Sequence, residues 1–511
     1  MKKRLAIFLA LLLAAALPLS SCGNDTPTES GSGTESMVGD NGGDTNADPD
    51  AQSETETDPA TLDELPTDNK DYQDYTFTIL GHLYEAGSVA WGVQDIAVDE
   101  LTGERINDAV FERNNRIADR FGVTIAKNLE TYPSDVGKKL IQSGDDAFDL
   151  LQTTVEKQAS MAVDGYLANM NDLPYVNFEK AWWDSSTMEG IRVGDKTFYA
   201  LGDSALNGKK ASWLMLFNKT LTDKAGIPNL YDTVREGKWT LDLLQTYAES
   251  IAVDVNGDGE MKWGEDVFGV GLQDESVSPL LIGTGAKLIE LNPDGTYNYR
   301  LNSEQVVNAM ERINGFMKKS NSHFVLNCNR YDGMSNQWIE FRKIFMADQM
   351  GFYILALSGV NLIAGDMQSD FGIIPVPKLN EAQDQYYSTF QYNNAHSLSV
   401  PKSARDLTRT GLITEALQMF SHDTVLPAYY DYTLTNRNAR DTDSAEMLDL
   451  IFASRNFDIS LAYNNKTGVL SFLQTNAVAD SFDYASKEAA NRQKVEKAMD
   501  EIIEAVLHGD E

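Results

Sequence analysis

From Tyr75 onward the hydrophobic and polar positions switch between two spacings, and the switching predicts the elements. Tyr75-Thr76-Phe77-Thr78-Ile79-Leu80 is rich in aromatic and β-branched residues, the composition of a strand, and Gly81-His82 reads as the turn that ends it. Ile106, Val110, Ile117 and Phe121 then recur among charged residues at helical spacing, Gly122 stops the helix, and Val123-Thr124-Ile125 opens a second strand. A helix near Ser134–Ile141, a turn at Ser143-Gly144-Asp145 and a strand over Phe148–Thr153 repeat the order. Strands and helices in this alternation build an open, mainly parallel sheet with helices on its faces. Ligands on such sheets bind beyond the carboxyl ends of the strands, which here are Gly81–Glu85 and Gln152–Glu156.

A second set of elements follows Gly202-Asp203. Trp213–Phe217, Phe268–Leu272, Gly351–Leu355 and Phe371–Pro375 read as strands, and Trp239–Ile251, Ser303–Met317 and Ser335–Phe345 as helices, with Trp338 on the apolar side of the last. No internal repeat is apparent, and two α/β lobes suit 511 residues better than one domain.

The N-terminal pattern differs. Lys2, Lys3 and Arg4 precede an apolar run from Leu5 to Leu17, about a dozen residues at 1.5 Å each, too short for roughly 30 Å of hydrocarbon. Residues 1–21 therefore read as a signal peptide. Leu19-Ser20-Ser21-Cys22 closes it and resembles the bacterial lipobox, which implies acylation of Cys22 (diacylglycerol and palmitate-type chains) and an anchor on the extracellular face of the cell membrane. From Gly23 to about Asn69 the chain is mostly Ser, Thr, Gly, Asp, Glu and Pro, with no Lys or Arg and almost no large apolar residue, so residues 22–70 are expected to form a lipidated, disordered, acidic tether. A flexible chain of about 45 residues has a typical reach of roughly 35–40 Å. Cys22 and Cys328 are the two cysteines; with Cys22 acylated, Cys328 has no partner and stability rests on packing. The formal charge of −35 disfavours binding of nucleic acid or anionic lipid heads.

Several stretches, in order, resemble the extracellular solute-binding proteins of ABC importers, the carbohydrate-type group that includes maltose-binding protein. They are Arg113-Asn114-Asn115-Arg116-Ile117 running into Phe121-Gly122-Val123; Trp182-Trp183-Asp184 followed by Gly194-Asp195-Lys196-Thr197-Phe198-Tyr199-Ala200; Leu216-Phe217-Asn218-Lys219 with Ala225-Gly226-Ile227-Pro228 and Gly237-Lys238-Trp239-Thr240; and Phe371-Gly372-Ile373-Ile374-Pro375-Val376-Pro377. The resemblance implies a two-lobed periplasmic-binding-protein-like fold of type II, α/β, each lobe an open mainly parallel sheet flanked by helices, with the ligand cleft between lobes. It places crossings near Gly202-Asp203-Ser204, Gln391-Tyr392-Asn393-Asn394 and Tyr432-Thr433-Leu434. Lobe 1 is then 71–203 plus about 393–432, and lobe 2 is 204–392 plus about 433–511. It further implies a monomer that captures a solute, an oligosaccharide for preference given the supply of aromatic residues, and delivers it to ABC permease subunits.

Sugar capture needs flat apolar faces for pyranose rings and planar polar groups for hydroxyls. The ligand-binding candidates on the strand-end loops and crossings are His82, Tyr84, Glu85, Trp91, Gln152, Thr154, Glu156, Asp203, Tyr392 and Asn393; for each polar one a capped turn or solvated surface is the alternative. Trp182, Trp183, Trp239 and Trp338 are expected in the core. Asp254-Val255-Asn256-Gly257-Asp258-Gly259-Glu260-Met261-Lys262-Trp263-Gly264-Glu265 matches D-x-[DN]-x-[DN]-G-x5-E at every specified position. Asp254, Asn256, Asp258, the Glu260 carbonyl and Glu265 would surround one structural calcium ion, the alternative being an acidic turn. No HExxH, GxSxG or Walker loop is present and no organic cofactor is expected; the alternatives to a binding protein are a secreted glycoside-active enzyme and a surface glycan-binding adhesin.

Overall fold

The structure, a computed structural model, describes residues 65, 71–84, 91–92, 95–330, 337–435 and 442–509. Eleven strands occur among them: β1 (Tyr75–His82), β2 (Val123–Glu130), β3 (Leu150–Thr154), β4 (Trp213–Asn218), β5 (Phe268–Leu272), β6 (Ile289–Leu291), β7 (Tyr297–Tyr299), β8 (Val325–Asn327), β9 (Met350–Ala356), β10 (Phe371–Ile374) and β11 (His396–Ser399). They form a four-stranded sheet in the order β11-β3-β1-β2, a five-stranded sheet in the order β10-β4-β9-β5-β8, and the hairpin β6-β7.

In the first sheet β1 runs parallel to β2 from Tyr75↔Val123 to His82↔Glu130 and parallel to β3, while β11 joins β3 antiparallel with His396 opposite Thr154. Gly81 and His82 are thus the last rungs of β1 rather than a turn, because β2 is long enough to pair them. The intervening helix Arg105–Phe121 starts where the Glu104 side chain accepts from Asn107 N (2.8 Å) and stops at Gly122, whose φ of 59° is left-handed and suits a residue without Cβ. Ile117 and Phe121 of that helix, with Leu412, Ile413 and Phe420 of the helix Leu407–Asp423, cover Phe77, Ile79, Val123 and Ile125.

The second sheet is half antiparallel: β10–β4 and β4–β9 run antiparallel, β9–β5 and β5–β8 parallel. "Mainly parallel" therefore describes the first sheet only. β4, β5, β9 and β10 are buried at every residue, as strands covered on both faces must be. Alternate side chains enter different cores. Leu214 and Leu216 meet Phe341, Phe345 and Val360 on one face, whereas Trp213, Met215 and Phe217 join the cluster of Trp239, Leu244 and Leu281 on the other. Each such burial contributes roughly 1.5–3 kcal/mol.

Trp239 lies just before its helix, which runs Leu241–Ile251 with Thr240 as cap; Trp182, Trp183 and Trp239 are buried as expected. Trp338 is not in the core: it is 41 % exposed on the helix Gln337–Met346, whose apolar face is carried by Phe341, Ile344 and Phe345 instead. Ser335, given above as that helix's start, lies outside the described residues. Among the described residues no helix is long and apolar enough to cross a membrane.

Three segments run side by side between the sheets. Trp213 N donates to Thr389 O (2.8 Å) and Gln391 N to Ala211 O (3.0 Å), while Ser388 N donates to Ser454 O (3.0 Å) and Asn456 N to Ser388 O (2.8 Å). The helix Val425–Thr435, which holds Tyr432–Leu434, packs on the first sheet's helix Arg105–Phe121, and Thr442–Ala453 packs on β10 of the second.

Candidate functional site

The carboxyl ends of β1 and β3 meet the crossing segments at one place. His82 ends β1, and its ring stacks on Tyr84 with centroids 4.5 Å apart. The Tyr84 hydroxyl accepts from Asn207 Nδ2 (3.1 Å) and lies 2.7 Å from His396 Nε2. Asn207 Nδ2 also donates to Trp91 O (3.0 Å), so the short helix Leu206–Lys210 holds both Tyr84 and Trp91. Burial pulls the His396 imidazolium down to about 3, with His82 and Lys210 adding repulsion, and burial lowers His82 too, so both rings are neutral near pH 7. With Asn207 donating to the phenol oxygen, the phenol proton is free to bind His396 Nε2, which leaves the ring's other proton on Nδ1. Among the described residues, that Nδ1 and Asn207 Oδ1 are both buried without a hydrogen-bond partner.

Beneath this cluster Gln152 is buried and donates to Asp95 Oδ1 (3.0 Å); Leu206 N donates to Asp95 Oδ2 (2.9 Å). Gln152 thus braces the floor. Thr154 is β3's last residue and pairs with His396. Glu156 follows in the first turn of the helix Val155–Val163, and its N–H donates to Tyr392 O (3.2 Å). The Tyr392 phenol is pushed up to about 12 by burial first, then by the Glu275 and Glu156 carboxylates, and accepts from Asn464 Nδ2 at 3.5 Å. Glu156 after the first sheet is thus bonded to Tyr392 of a crossing, and Glu275 from the turn after β5 is close enough for its charge to act on the same phenol. Burial and Asp274 raise Glu275 above the ordinary carboxylate value.

The remaining candidates lie apart. Asp203 is buried against His422 Nδ1 (2.7 Å) and Lys209 Nζ (3.5 Å), which makes it a bracing residue of the first crossing. Asn393 is exposed. Glu85, Cys22 and most of the Ala86–Gln94 loop lie outside the described residues. Asn207, His396 and Glu275 are all absent from the candidates: Asn207 lies in a polar run ahead of the buried strand Trp213–Asn218 and Glu275 in an acidic pair just after β5, while His396 opens the short strand His-Ser-Leu-Ser, which carries no pattern of its own.

Arg455 fastens the crossings. Fully buried, it donates to Gly208 O (2.6 Å) and Ser212 Oγ (3.0 Å), lies 5.3 Å over the Phe390 ring and pairs with buried Asp184.

The Asp254–Glu265 loop is closed by the Val253↔Val267 bridge. Buried Asp266 accepts from Val255 N (2.9 Å) and Lys262 N (2.7 Å), and Asp254 accepts from Gly257 N (2.7 Å) and Gly259 N (2.8 Å). Glu265 Oε2 is 3.4 Å from Asn256 Nδ2, and Lys262 Nζ sits on Asp258 (2.8 Å) and Glu260 (3.1 Å). Among the described residues no three His, Cys, Asp or Glu side chains are grouped as a metal site would need.

No family model matches the chain, and no curated protein does. Solved structures do resemble it. A cyclo/maltodextrin-binding protein complexed with maltotetraose aligns over 85 % of this chain and 98 % of its own at 12 % identity and a TM-score of 0.53. UspC from M. tuberculosis aligns over 84 % and 100 % at 12 % and 0.51, and a sugar transporter from Rhizobium etli in an open conformation over 85 % and 99 % at 14 % and 0.51. The chain has the two-lobed α/β fold of these structures.

Proposed function

We propose that this protein captures a sugar, an oligosaccharide for preference, between its two sheets and presents it to an ABC permease while lipid on Cys22 holds it to the outer face of the cell membrane. The observation that carries the reading is the meeting, at one edge, of aromatic and planar polar groups from both sheets and from the crossings: His82, Tyr84, Trp91, Glu156, Glu275 and Tyr392. Aromatic faces suit the C–H surfaces of pyranose rings, and carboxylates accept from hydroxyls. The reading is supported by a fold shared with a maltotetraose-bound protein.

Solute binds first to one lobe, and contacts from the other then favour the closed form that the permease recognises; the crossings absorb the motion. The loop Asp254–Glu265 is proposed to bind calcium as a structural ion remote from the solute.

Calorimetry with a panel of neutral and charged oligosaccharides, run beside a hydrolysis assay, tests the capture reading. Tight binding without turnover is expected. Turnover without tight binding replaces a binding protein by a glycoside-active enzyme.

A further inference from the structure

Among the described residues, Lys209, His422 and Arg455 of the crossings each have a charged partner. Lys209 has Asp203 at 3.5 Å, His422 has Asp203 at 2.7 Å and Arg455 has Asp184. Lys210, 7 % exposed, makes no ion pair or hydrogen bond among the described residues. It ends the helix Leu206–Lys210, which is pressed on β11: a Cβ on Gly208 would stand 3.1 Å from His396 O. Lys210 is close enough to Asp95 and His396 for its charge to act on both.

The charge count around it is uneven. Arg113, buried, donates to Ile96 O (2.6 Å) and lies within Coulombic reach of Asp95, so two cations face one carboxylate there, while His82 and His396 are neutral. Asp95 is already engaged by Gln152 and Leu206 N. Two cations therefore share one carboxylate beside the candidate cleft in a chain of formal charge −35. Holding an ammonium this far from water beside a carboxylate that is engaged elsewhere is costly, and such groups are ordinarily paired directly. Burial draws the Lys210 ammonium down to about 8, so it is still mostly charged at neutral pH.

We propose that the captured solute carries an anionic substituent, a carboxylate or a phosphate ester on the sugar, and that Lys210 is the residue that receives it. The inference rests on the sugar-capture reading and names the class of sugar. The anionic end enters beside Lys210, His396 and Asn207, where His396 Nδ1 offers a further unpartnered donor. The hydroxyl-rich remainder extends toward Tyr392, Glu156 and Glu275. The two ends are adjacent, because Gln391 N donates to Ala211 O (3.0 Å) and so sets the residues before Tyr392 against those after Lys210.

The test is calorimetry on the full chain with pairs of ligands that differ only in charge: a uronic-acid disaccharide against its methyl ester, and a sugar phosphate against the free sugar. For at least one pair the anion should bind the wild type about ten- to a hundredfold more tightly, the worth of one charge-assisted hydrogen bond. Lys210→Met should erase that preference and leave the neutral partner within about threefold, and Lys210→Arg should restore part of it. The pair that responds identifies the anion. Equal binding of charged and neutral partners, or a preference that survives Lys210→Met, overturns the inference while leaving sugar capture intact. If no glycan of either kind binds, sugar capture itself fails and the inference with it. Melting supplies a second check: Lys210→Met should not lower the melting temperature of the free protein, and a marked fall would mean that the ammonium is already paired without solute.

Discussion

Two polar regions of this molecule are held in opposite ways. In the Asp254–Glu265 loop each carboxylate finds its partner within a dozen residues, in water, and Lys262 on Asp258 and Glu260 is an exposed pair of small energetic weight. At the crossings the partners are far apart in sequence and buried: Arg455 with Asp184, Asn207 with Tyr84, Glu415 with the indoles of Trp182 (2.8 Å) and Trp183 (2.9 Å). The loop can be rearranged with little consequence elsewhere. The crossings cannot, because every removed partner leaves a buried group unmatched. The first region holds only its own turn together, and the second holds a geometry shared by every segment that joins the two sheets.

The sharpest way to break the contrast is at Arg455. Arg455→Ala strands the Asp184 carboxylate in the core and unties the Gly208 and Ser212 segments, and we expect a loss of about 3–5 kcal/mol in a chemical-denaturation midpoint series. The paired replacement Arg455→Met with Asp184→Leu should recover most of that loss, since no charge is then buried alone. If Arg455→Ala melts like the wild type, the crossings are not fastened as described.

Glu415 gives a smaller effect with a pH signature. Its carboxyl accepts from two indole N–H groups and Asn177 N (3.3 Å), yet burial outweighs these donors and pushes it up to about 7 from an ordinary 4.5. A carboxyl raised in the folded state adds stability that is full below pH 4.5 and is lost as pH rises through about 7. That window is worth on the order of 3 kcal/mol. Glu415→Gln should flatten the wild-type slope across it, at a constant cost of about 1 kcal/mol because the amide sets its own N–H against one indole. An identical pH dependence in the two proteins would assign the slope to other groups. Intrinsic fluorescence is the natural probe, the two indoles being the groups bonded to the carboxyl.

The Glu415 case also shows which features were legible in the sequence. Local periodicity carried the strands β1, β2, β3, β4, β5, β9 and β10 and the helices between them, because burial of one face leaves its imprint every second or every third to fourth residue. The edges were misplaced where tertiary pairing decided: His82 belongs to β1 only because Glu130 lies opposite. β11, four residues long, had too little pattern to be seen. The Trp182-Trp183 doublet was readable as core, but nothing in its neighbourhood announces a carboxylate more than 230 residues later. The candidate site divides in the same way. Tyr84, Trp91 and Glu156 follow strand ends and could be found, whereas Asn207, Lys210, His396 and Glu275 acquire a role only once the crossings bring them together.

The smallest expected effect belongs to the loop, the most legible of all these features. If calcium binds there, ten times its dissociation constant stabilises the fold by about 1.4 kcal/mol. In a protein of this size that raises the melting temperature by only about 1 to 2 °C. A chelated sample should show the shift on adding calcium, and Glu265→Gln should abolish it, since a neutral amide cannot close the shell in the bidentate manner of a carboxylate. Sugar affinity should be the same with calcium and with chelator, because the loop's bonds are internal to residues 253–267 and none reaches Tyr84, Lys210 or Tyr392. An unchanged melting temperature would leave a turn organised by Asp254 and Asp266 alone. A calcium-dependent sugar affinity would instead mean that the two regions are coupled, and the opposition between a self-contained loop and a shared crossing would not hold.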